Sequence, residues 1–240
     1  TTGLPKGVEL SQRNIVSQVK AASKRFVIGH RPRALSALPL AHIFERTVMY
    51  YYFSLGANVF FVDNPKELAS YVKRVRPEVM TVVPRILEKV HESMVAAADE
   101  KPPVLRGLAR AAVRRAETKA PERFSLIDRL YGALVYRKFR DALGGRLRYL
   151  ISGSAKLDEA VARFTTNIGI PVYEGYGLAE SSPVIAANAP GDVRLGTVGK
   201  PFPEVEVRVA DDGEILARGP NVMQGYHNDP EATAETIEDG

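Results

Sequence analysis

Short runs that are apolar on both faces, each followed by a stretch with helical spacing, recur along this sequence and constrain its fold more than any other feature. Ala34 to Leu38, Asn58 to Val62, Glu78 to Val83, Arg148 to Ile151 and Pro171 to Glu174 have this character. A strand with no polar face must be covered on both sides, and parallel strands need a helix to cross between them. The pattern therefore predicts an α/β fold of layered sheet covered by helices, with Asn58 to Val62 a buried strand. The crossover helices are predicted from Ile43 to Leu55, from Pro65 to about Val75, from Pro84 to Ala98 and from Asp158 to Ile168. Ahead of them, Gly7 to Leu10 is a short extended run and Ser11 has the hydroxyl of an N-cap. The helix it opens carries Ile15, Val16, Val19, Ala22 and Phe26 on one apolar face.

Two segments break the rhythm. Leu105 to Ala120 and Phe124 to Leu143 both show helical spacing with no strand between them, which marks a helical insertion. After Gly199, Val205 to Val209 and Glu214 to Arg218 alternate at period two around Asp211-Asp212-Gly213, a hairpin signal that starts an antiparallel β subdomain. The expected organisation is a first α/β part over 1–100, the insertion over 101–145, a second α/β part over 146–203 and the β subdomain over 204–240. Charge follows these divisions. Residues 101–148 hold 13 Lys and Arg against 4 Asp and Glu, whereas from Glu204 onward there are 10 acidic residues and only Arg208 and Arg218. Arg106, Arg110 and Arg114 recur every four residues as a cationic stripe, either a solvated helix face or a contact for anionic lipid. No nucleic-acid recognition motif accompanies it.

With 0 cysteines there is neither a disulfide framework nor a thiolate nucleophile, and 4 histidines make an imidazole metal site a poor expectation. The longest apolar stretch, Val48 to Val62, is interrupted by Ser54, Gly56 and Asn58 and falls short of the ~20 residues of a membrane span.

Three clusters could carry chemistry. Thr1-Thr2-Gly3-Leu4-Pro5-Lys6-Gly7 offers hydroxyls, glycines and an ammonium to phosphate oxygens, or is a solvated Pro-Gly turn; it lacks the frame of a Walker A loop. Tyr173-Glu174-Gly175-Tyr176-Gly177-Leu178-Ala179-Glu180-Ser181-Ser182 follows a strand end, where open α/β sheets place ligands. Tyr176 there offers a ring face to a base and Glu180 a hard oxygen to Mg²⁺, unless the segment is a plain Gly-rich turn. Pro39-Leu40-Ala41-His42-Ile43-Phe44-Glu45-Arg46 places a histidine after a strand, either lining a pocket or packed as structure.

Taken together, the three clusters resemble the adenylate-forming acyl-CoA synthetases. The opening is similar to the end of that family's phosphate loop, and Tyr176-Gly177-Leu178-Ala179-Glu180 to its Tyr-Gly-x-Thr-Glu motif. Gly196 to Pro201 and the segment from Gly213-Glu214-Ile215 to Gly225-Tyr226 match two further motifs in order. The histidine cluster and the insertion resemble the long-chain fatty acid branch. The resemblance implies ATP-dependent formation of an acyl-adenylate and then of the CoA thioester, with ATP, Mg²⁺ and CoA as the small molecules. By this resemblance Thr1, Thr2, Gly3 and Lys6 hold phosphates, and Ser154, Ala155, Gly175 and Tyr176 frame adenine. Glu174, Gly177 and Ala179 complete the nucleotide set, Glu180 binds the metal, and His42 lines the meeting point of the acyl and pantetheine channels.

Departures from the family pattern are informative. Ala179 stands where a threonine hydroxyl usually contacts the α-phosphate, and loss of one such donor costs on the order of 10²–10³ in rate. Ser154 replaces a commoner glycine and Lys156 a commoner proline. Both ends are expected to be cuts in a longer protein, so that this piece alone does not form acyl-CoA. The expected setting is cytoplasmic, with peripheral contact to the inner face of an anionic membrane through 101–148. Other readings are adenylation of a different carboxylic acid, or a basic membrane-surface or nucleic-acid-binding module.

Overall fold

The computed structural model describes residues 5–121 and 125–238. Its first strand, β1 (Val8–Glu9), leads into α1 (Gln12–Arg25). A reciprocal cap starts that helix: the Asn14 N–H donates to Ser11 Oγ at 3.2 Å, and the Ser11 N–H donates to Asn14 Oδ1 at 2.7 Å. The βα rhythm then runs β2 (Arg33–Ser36), α2 (Ile43–Ser54), β3 (Asn58–Phe61), α3 (Leu68–Val75), β4 (Val79–Val82) and α4 (Pro84–Asp99). Pro84 is the first residue of α4, where its missing N–H costs nothing. The insertion comprises α5 (Pro103–Thr118), α6 (Leu126–Tyr131), a π-helical segment Gly132–Tyr136, and α7 (Arg137–Ala142). The rhythm resumes with β5 (Tyr149–Ser152), α8 (Glu159–Asn167) and β6 (Val172–Gly177). There follow β7 (Val184–Ala187), β8 (Lys200–Pro201), β9 (Glu206–Val209), β10 (Ile215–Arg218), β11 (Gly225–Tyr226) and α9 (Pro230–Thr236).

The main sheet has seven strands in the order β3-β2-β4-β5-β6-β7-β8. The first five are parallel, while β7 runs antiparallel to β6 and β8 antiparallel to β7. Alternation along the central strands makes two cores. Val79, Tyr149 and Ile151 face α1 and α2, where Phe26, Tyr51 and Tyr52 are buried. Met80, Val82 and Leu150 face the other way, toward Leu87, Val113, Phe139 and Phe164 from α4, α5, α7 and α8. Phe164 is wholly buried, so Phe164→Ala would cost about 3–5 kcal/mol.

The insertion belongs to this second core and does not stand apart from it: Ala109, Ala112, Val113 and Ala116 are buried. Asn167 Nδ2 donates to the carbonyls of Ala116 and Lys119 at 2.8 and 2.9 Å. The cationic stripe is exposed but partly spent, since Arg110 Nε lies 2.5 Å from Asp99 Oδ1 and Arg106 Nε donates to the Lys101 carbonyl. The predicted hairpin forms as β9 and β10. Val205 at its base is packed into the first core, and β11 returns to pair with β1.

Two expectations are corrected. β3 is the edge of the sheet, not a buried strand: it has one neighbour, and Phe61 is 51% exposed. On α1 the buried face is Asn14, Gln18 and Ala21, whereas Ile15, Val16 and Val19 line an open cleft. The reason is that the two amides have backbone partners. Asn14 Nδ2 donates to the Pro220 and Val222 carbonyls at 2.8 and 2.7 Å, and Gln18 Oε1 accepts the Val184 N–H at 3.0 Å. Among the described residues no helix is long and apolar enough to cross a membrane.

Candidate functional site

β6 is the strand at which the sheet changes direction, parallel to β5 on one side and antiparallel to β7 on the other. Pairing with β7 shifts register between Tyr176 and Gly177, which turns the chain out of the sheet at its carboxyl edge. A cleft of about 1270 Å³ opens there. The α1 side chains Ile15, Val16 and Val19 form one wall. His42 and Phe44 enter from the start of α2, and Gly153 and Ser154 from the end of β5. Gly175, Tyr176, Gly177 and Ala179 complete it from β6 and the turn beyond.

Local sequence explains why this edge is open. A Cβ on Gly177 would stand 1.7 Å from the Pro183 carbonyl oxygen, so only glycine lets β6 cross the return chain here. A Cβ on Gly153 would meet the Phe44 ring at 3.1 Å, and its absence lets that ring lie over the end of β5. Ser154 has φ 72, in the left-handed region that favours glycine. The serine at this position thus carries a backbone cost that a glycine would not.

Beneath His42 the first turn of α2 is pinned to the sheet. Glu45 is 1% exposed and its carboxylate accepts the Ser36 hydroxyl at 2.5 Å and the Thr81 hydroxyl. Burial raises its pKa, opposed by those two hydrogen bonds. Glu45 thereby ties the His42 and Phe44 segment to the ends of β2 and β4.

A second group assembles beyond the Gly177–Ala179 turn. Tyr226 Oη donates to Glu180 Oε1 at 2.7 Å, and Lys6 Nζ lies 4.9 Å from the Tyr226 ring centroid. The pairing of β1 with β11, with Val8 opposite Tyr226, brings the two ends of the described chain to this point. Burial first, and then the carboxylate of Glu180, push the Tyr226 hydroxyl up. Asn221 holds the intervening turn by donating to the Ser181 carbonyl at 3.0 Å. Among the described residues no cluster of three or more His, Asp or Glu could hold a metal ion by itself. Glu180 fits a metal shared with phosphate oxygens and does not fit a cage built of protein alone.

The sequence-predicted residues divide accordingly. His42, Ser154, Gly175, Tyr176, Gly177 and Ala179 share the cleft, while Lys6 and Glu180 form the adjoining charged corner. Ala155 is exposed beside the cleft without lining it. Glu174 is 7% exposed and accepts the Leu157 N–H at 3.3 Å, so its carboxylate braces the β5–α8 loop; burial raises its pKa. Thr1, Thr2 and Gly3 lie outside the described residues. Sequence reasoning missed Tyr226 as the partner of Glu180 and the amides Asn14 and Asn221 that position the turn.

Comparison with known proteins identifies the family and the fold. The chain is 38% identical to the long-chain-fatty-acid–CoA ligase FadD15 of Mycobacterium bovis, covering 100% of this chain and 41% of that protein. It is 33% identical to the human long-chain-fatty-acid–CoA ligase 1, over 99% of this chain and 36% of that one. It thus spans about two-fifths of the length of the curated relatives it matches. The N-terminal domain of FACL13 from Mycobacterium tuberculosis has a similar fold, with a TM-score of 0.71 at 21% identity, covering 100% of this chain and 53% of that one. The same holds for the O-succinylbenzoate coenzyme A synthetase of Bacillus subtilis in complex with ATP and magnesium, at a TM-score of 0.70 and 21% identity, over 100% and 43% of the two chains. The family model described as AMP-binding enzyme matches residues 1–227, and this chain belongs to that family.

Proposed function

We propose that the protein containing this chain activates a long-chain fatty acid as its acyl-adenylate and passes the acyl group to the thiol of CoA. The observation that carries the reading is the convergence of Tyr176, the Gly175–Gly177 backbone, Ser154 and His42 on one cleft at the direction change of the sheet. The Lys6–Tyr226–Glu180 corner adjoins it. In the first step a carboxylate oxygen of the fatty acid attacks the α-phosphorus of ATP and pyrophosphate leaves. In the second the CoA sulfur attacks the acyl carbonyl and AMP leaves, the thiol proton passing to solvent.

Each residue has a place in this chemistry. The Tyr176 ring and the unblocked backbone of Gly175 offer a flat slot for adenine, with Ser154 at its rim. Lys6 supplies positive charge to the phosphates, and Glu180, oriented by the Tyr226 hydroxyl, would hold Mg²⁺. When bound, that ion supplies charge neutralisation to the polyphosphate. His42 stands at the start of α2, where the apolar α1 wall meets the nucleotide slot, a junction at which acyl carbonyl and thiol can meet. Ala179 brings no hydroxyl to the cleft, so the backbone and Lys6 carry what a threonine would have added.

Calorimetric titration of this chain with ATP or AMP tests the binding half of the reading. Binding that is weakened at least tenfold by Tyr176→Ala supports it, and no binding in the presence of magnesium refutes it. Because the chain spans two-fifths of its relatives' length, turnover is assigned to the whole protein and not to this piece. Palmitate-dependent pyrophosphate release by the whole protein tests that assignment, and release driven equally by benzoate would redirect it to another class of acid.

A surface observation supports the further reading that the protein touches a membrane peripherally. Leu126, Ile127, Leu130 and Leu134 are 80, 53, 52 and 47% exposed on α6 and the π-helical segment after it, beside Arg129, Arg137 and Lys138. Apolar side chains interleaved with cations suit an anionic bilayer interface. Flotation with phosphatidylglycerol liposomes, lost in Leu126→Glu/Leu130→Glu, checks it.

A further inference from the structure

Over its first two turns, helix α1 has its amphipathic faces reversed. Ile15, Val16 and Val19 line the open cleft, while the amides Asn14 and Gln18 are 3 and 2% exposed against the body of the protein. An amide is buried at little cost only where its hydrogen-bonding groups find partners, so the partners show what this face is for. Asn14 uses every group it has. Its Oδ1 accepts the Ser11 N–H and the Ser11 hydroxyl, both at 2.7 Å, and its Nδ2 donates to the Pro220 and Val222 carbonyls at 2.8 and 2.7 Å. The oxygen alone completes the helix cap, a task that an aspartate would perform as well. The Nδ2 group serves only the turn that precedes β11.

That turn reaches Glu180 through a single peptide unit. The Val222 carbonyl accepts from Asn14, and the N–H of the same peptide plane, that of Met223, donates to the Glu180 carbonyl at 2.8 Å. The peptide is trans, hence planar with its carbonyl and N–H pointing in opposite directions, and forms a rigid strut between α1 and the backbone of Glu180. The chain around the strut is fixed as well. Asn221 donates to the Ser181 and Val184 carbonyls at 3.0 and 3.3 Å, and Gln18 Oε1 accepts the Val184 N–H. Glu180 is thus held twice, at its backbone by α1 through the strut and at its carboxylate by Tyr226. A carboxylate that shares a metal with phosphate oxygens must be kept within about 0.5 Å of its working position by the groups behind it. Because Asn14 is next to Ile15 and Val16, one turn of helix fixes the cleft wall and this carboxylate together.

We propose that Asn14 is a positioning residue for Glu180, setting from α1 where that carboxylate meets magnesium–ATP. The inference rests on the reading above that Glu180 and the nucleotide share the metal. Two variants separate the tasks of Asn14. Asn14→Asp keeps the cap oxygen but turns a second oxygen, in place of a donor, toward two carbonyls. Ser11→Ala removes the cap hydroxyl and leaves both Nδ2 bonds. In calorimetric titration of this chain, Asn14→Asp should weaken binding of magnesium–ATP about tenfold and keep binding of metal-free AMP within about twofold of wild type. Ser11→Ala should lower the thermal unfolding midpoint and change neither affinity. Hydrogen exchange on the wild-type chain reads the same link without a variant: magnesium–ATP should slow exchange of the Met223 amide about fivefold, and AMP should not. A wild-type chain that binds neither nucleotide would overturn the function proposed above and this role with it. If it binds both, three results would overturn the positioning role alone. They are an Asn14→Asp loss equal for magnesium–ATP and AMP, the same loss in Ser11→Ala, or a Met223 amide that magnesium–ATP leaves unprotected.

Discussion

Asp128 is the residue through which the insertion is held closed, and its removal gives a measurable stability change. The carboxylate is 7% exposed and accepts from Arg115 Nε at 2.7 Å, Lys119 Nζ at 2.6 Å, the Ser125 N–H at 2.8 Å and the Ser125 hydroxyl at 2.9 Å. It therefore joins the last turn of α5 to the first turn of α6 while forming the capping box of α6. Asp128→Ala removes a hydrogen-bonded cap, worth about 1 kcal/mol. It also removes the charge-assisted bond from the Lys119 ammonium, whose side chain is 13% exposed, and such a bond contributes about 1.5–3 kcal/mol. The Arg115 side chain is 32% exposed, so solvent screens that arm and it adds little. The site lies at the rim of the core, which places that bond at the low end of its range, and the expected loss is about 2–3 kcal/mol. Burial pushes this carboxyl up, yet the bonds from Arg115, Lys119 and Ser125 outweigh it and hold the pKa well below the usual carboxylate range. A group with a depressed folded pKa contributes stability above its unfolded pKa, about 3.9, and loses it as pH falls toward the folded value. Urea unfolding followed by circular dichroism should show a gap between wild type and Asp128→Ala that is flat from pH 6 to 8 and narrows only below about pH 4. A gap under about 1 kcal/mol at pH 7, or one that changes between pH 6 and 8, would refute the reasoning.

Three other substitutions test the site. Ser154→Gly relieves a left-handed residue on an exposed loop and should raise stability by about 1 kcal/mol in the same urea assay. Gly177→Ala places a methyl against the Pro183 carbonyl and should cost at least about 2 kcal/mol, with nucleotide binding lost by calorimetry even where the fold survives. Tyr226→Phe removes the hydrogen bond that orients Glu180, so magnesium-dependent enhancement of ATP binding should fall several-fold while binding of AMP without metal stays unchanged.

How much of this was legible in the sequence depends on the range of the interaction that decided each element. The parallel strands announced themselves because burial on both faces leaves Val79–Val82 and Tyr149–Ser152 no exposed position. β7 went unseen because Val184–Ala187 is only four residues long, two of them alanine, and is fixed by pairing with β6. The face of α1 was misassigned for a related reason: Asn14 is polar in composition but is buried by carbonyls 206 and 208 residues away, which no local pattern contains. The exposure of β3 is set by which strand ends the sheet, again a long-range fact. The cleft residues were found as a group because they cluster in three short segments that end strands. The Glu180–Tyr226 bond, 46 residues apart, was not found, since a tyrosine near the chain end gives no sign of its partner.

The division of the sheet into two chemically distinct sides leads to a last prediction, which two neighbouring residues can test. Val79 and Met80 are 0 and 3% exposed and adjacent in β4, yet they belong to different cores. Met80→Ala should cost about 2–5 kcal/mol by leaving a cavity on the α4 and α5 side of the sheet. Its effect on the cleft must pass through the backbone of a strand held on both sides by β2 and β5, which resists movement. Val79→Ala loosens the packing of α1 and α2 instead, the helices that carry the apolar cleft wall and His42. Both variants are therefore destabilised, but ATP binding by calorimetry should weaken in Val79→Ala alone. If Met80→Ala weakened ATP binding by the same factor as Val79→Ala, the sheet would not be a partition between the two cores.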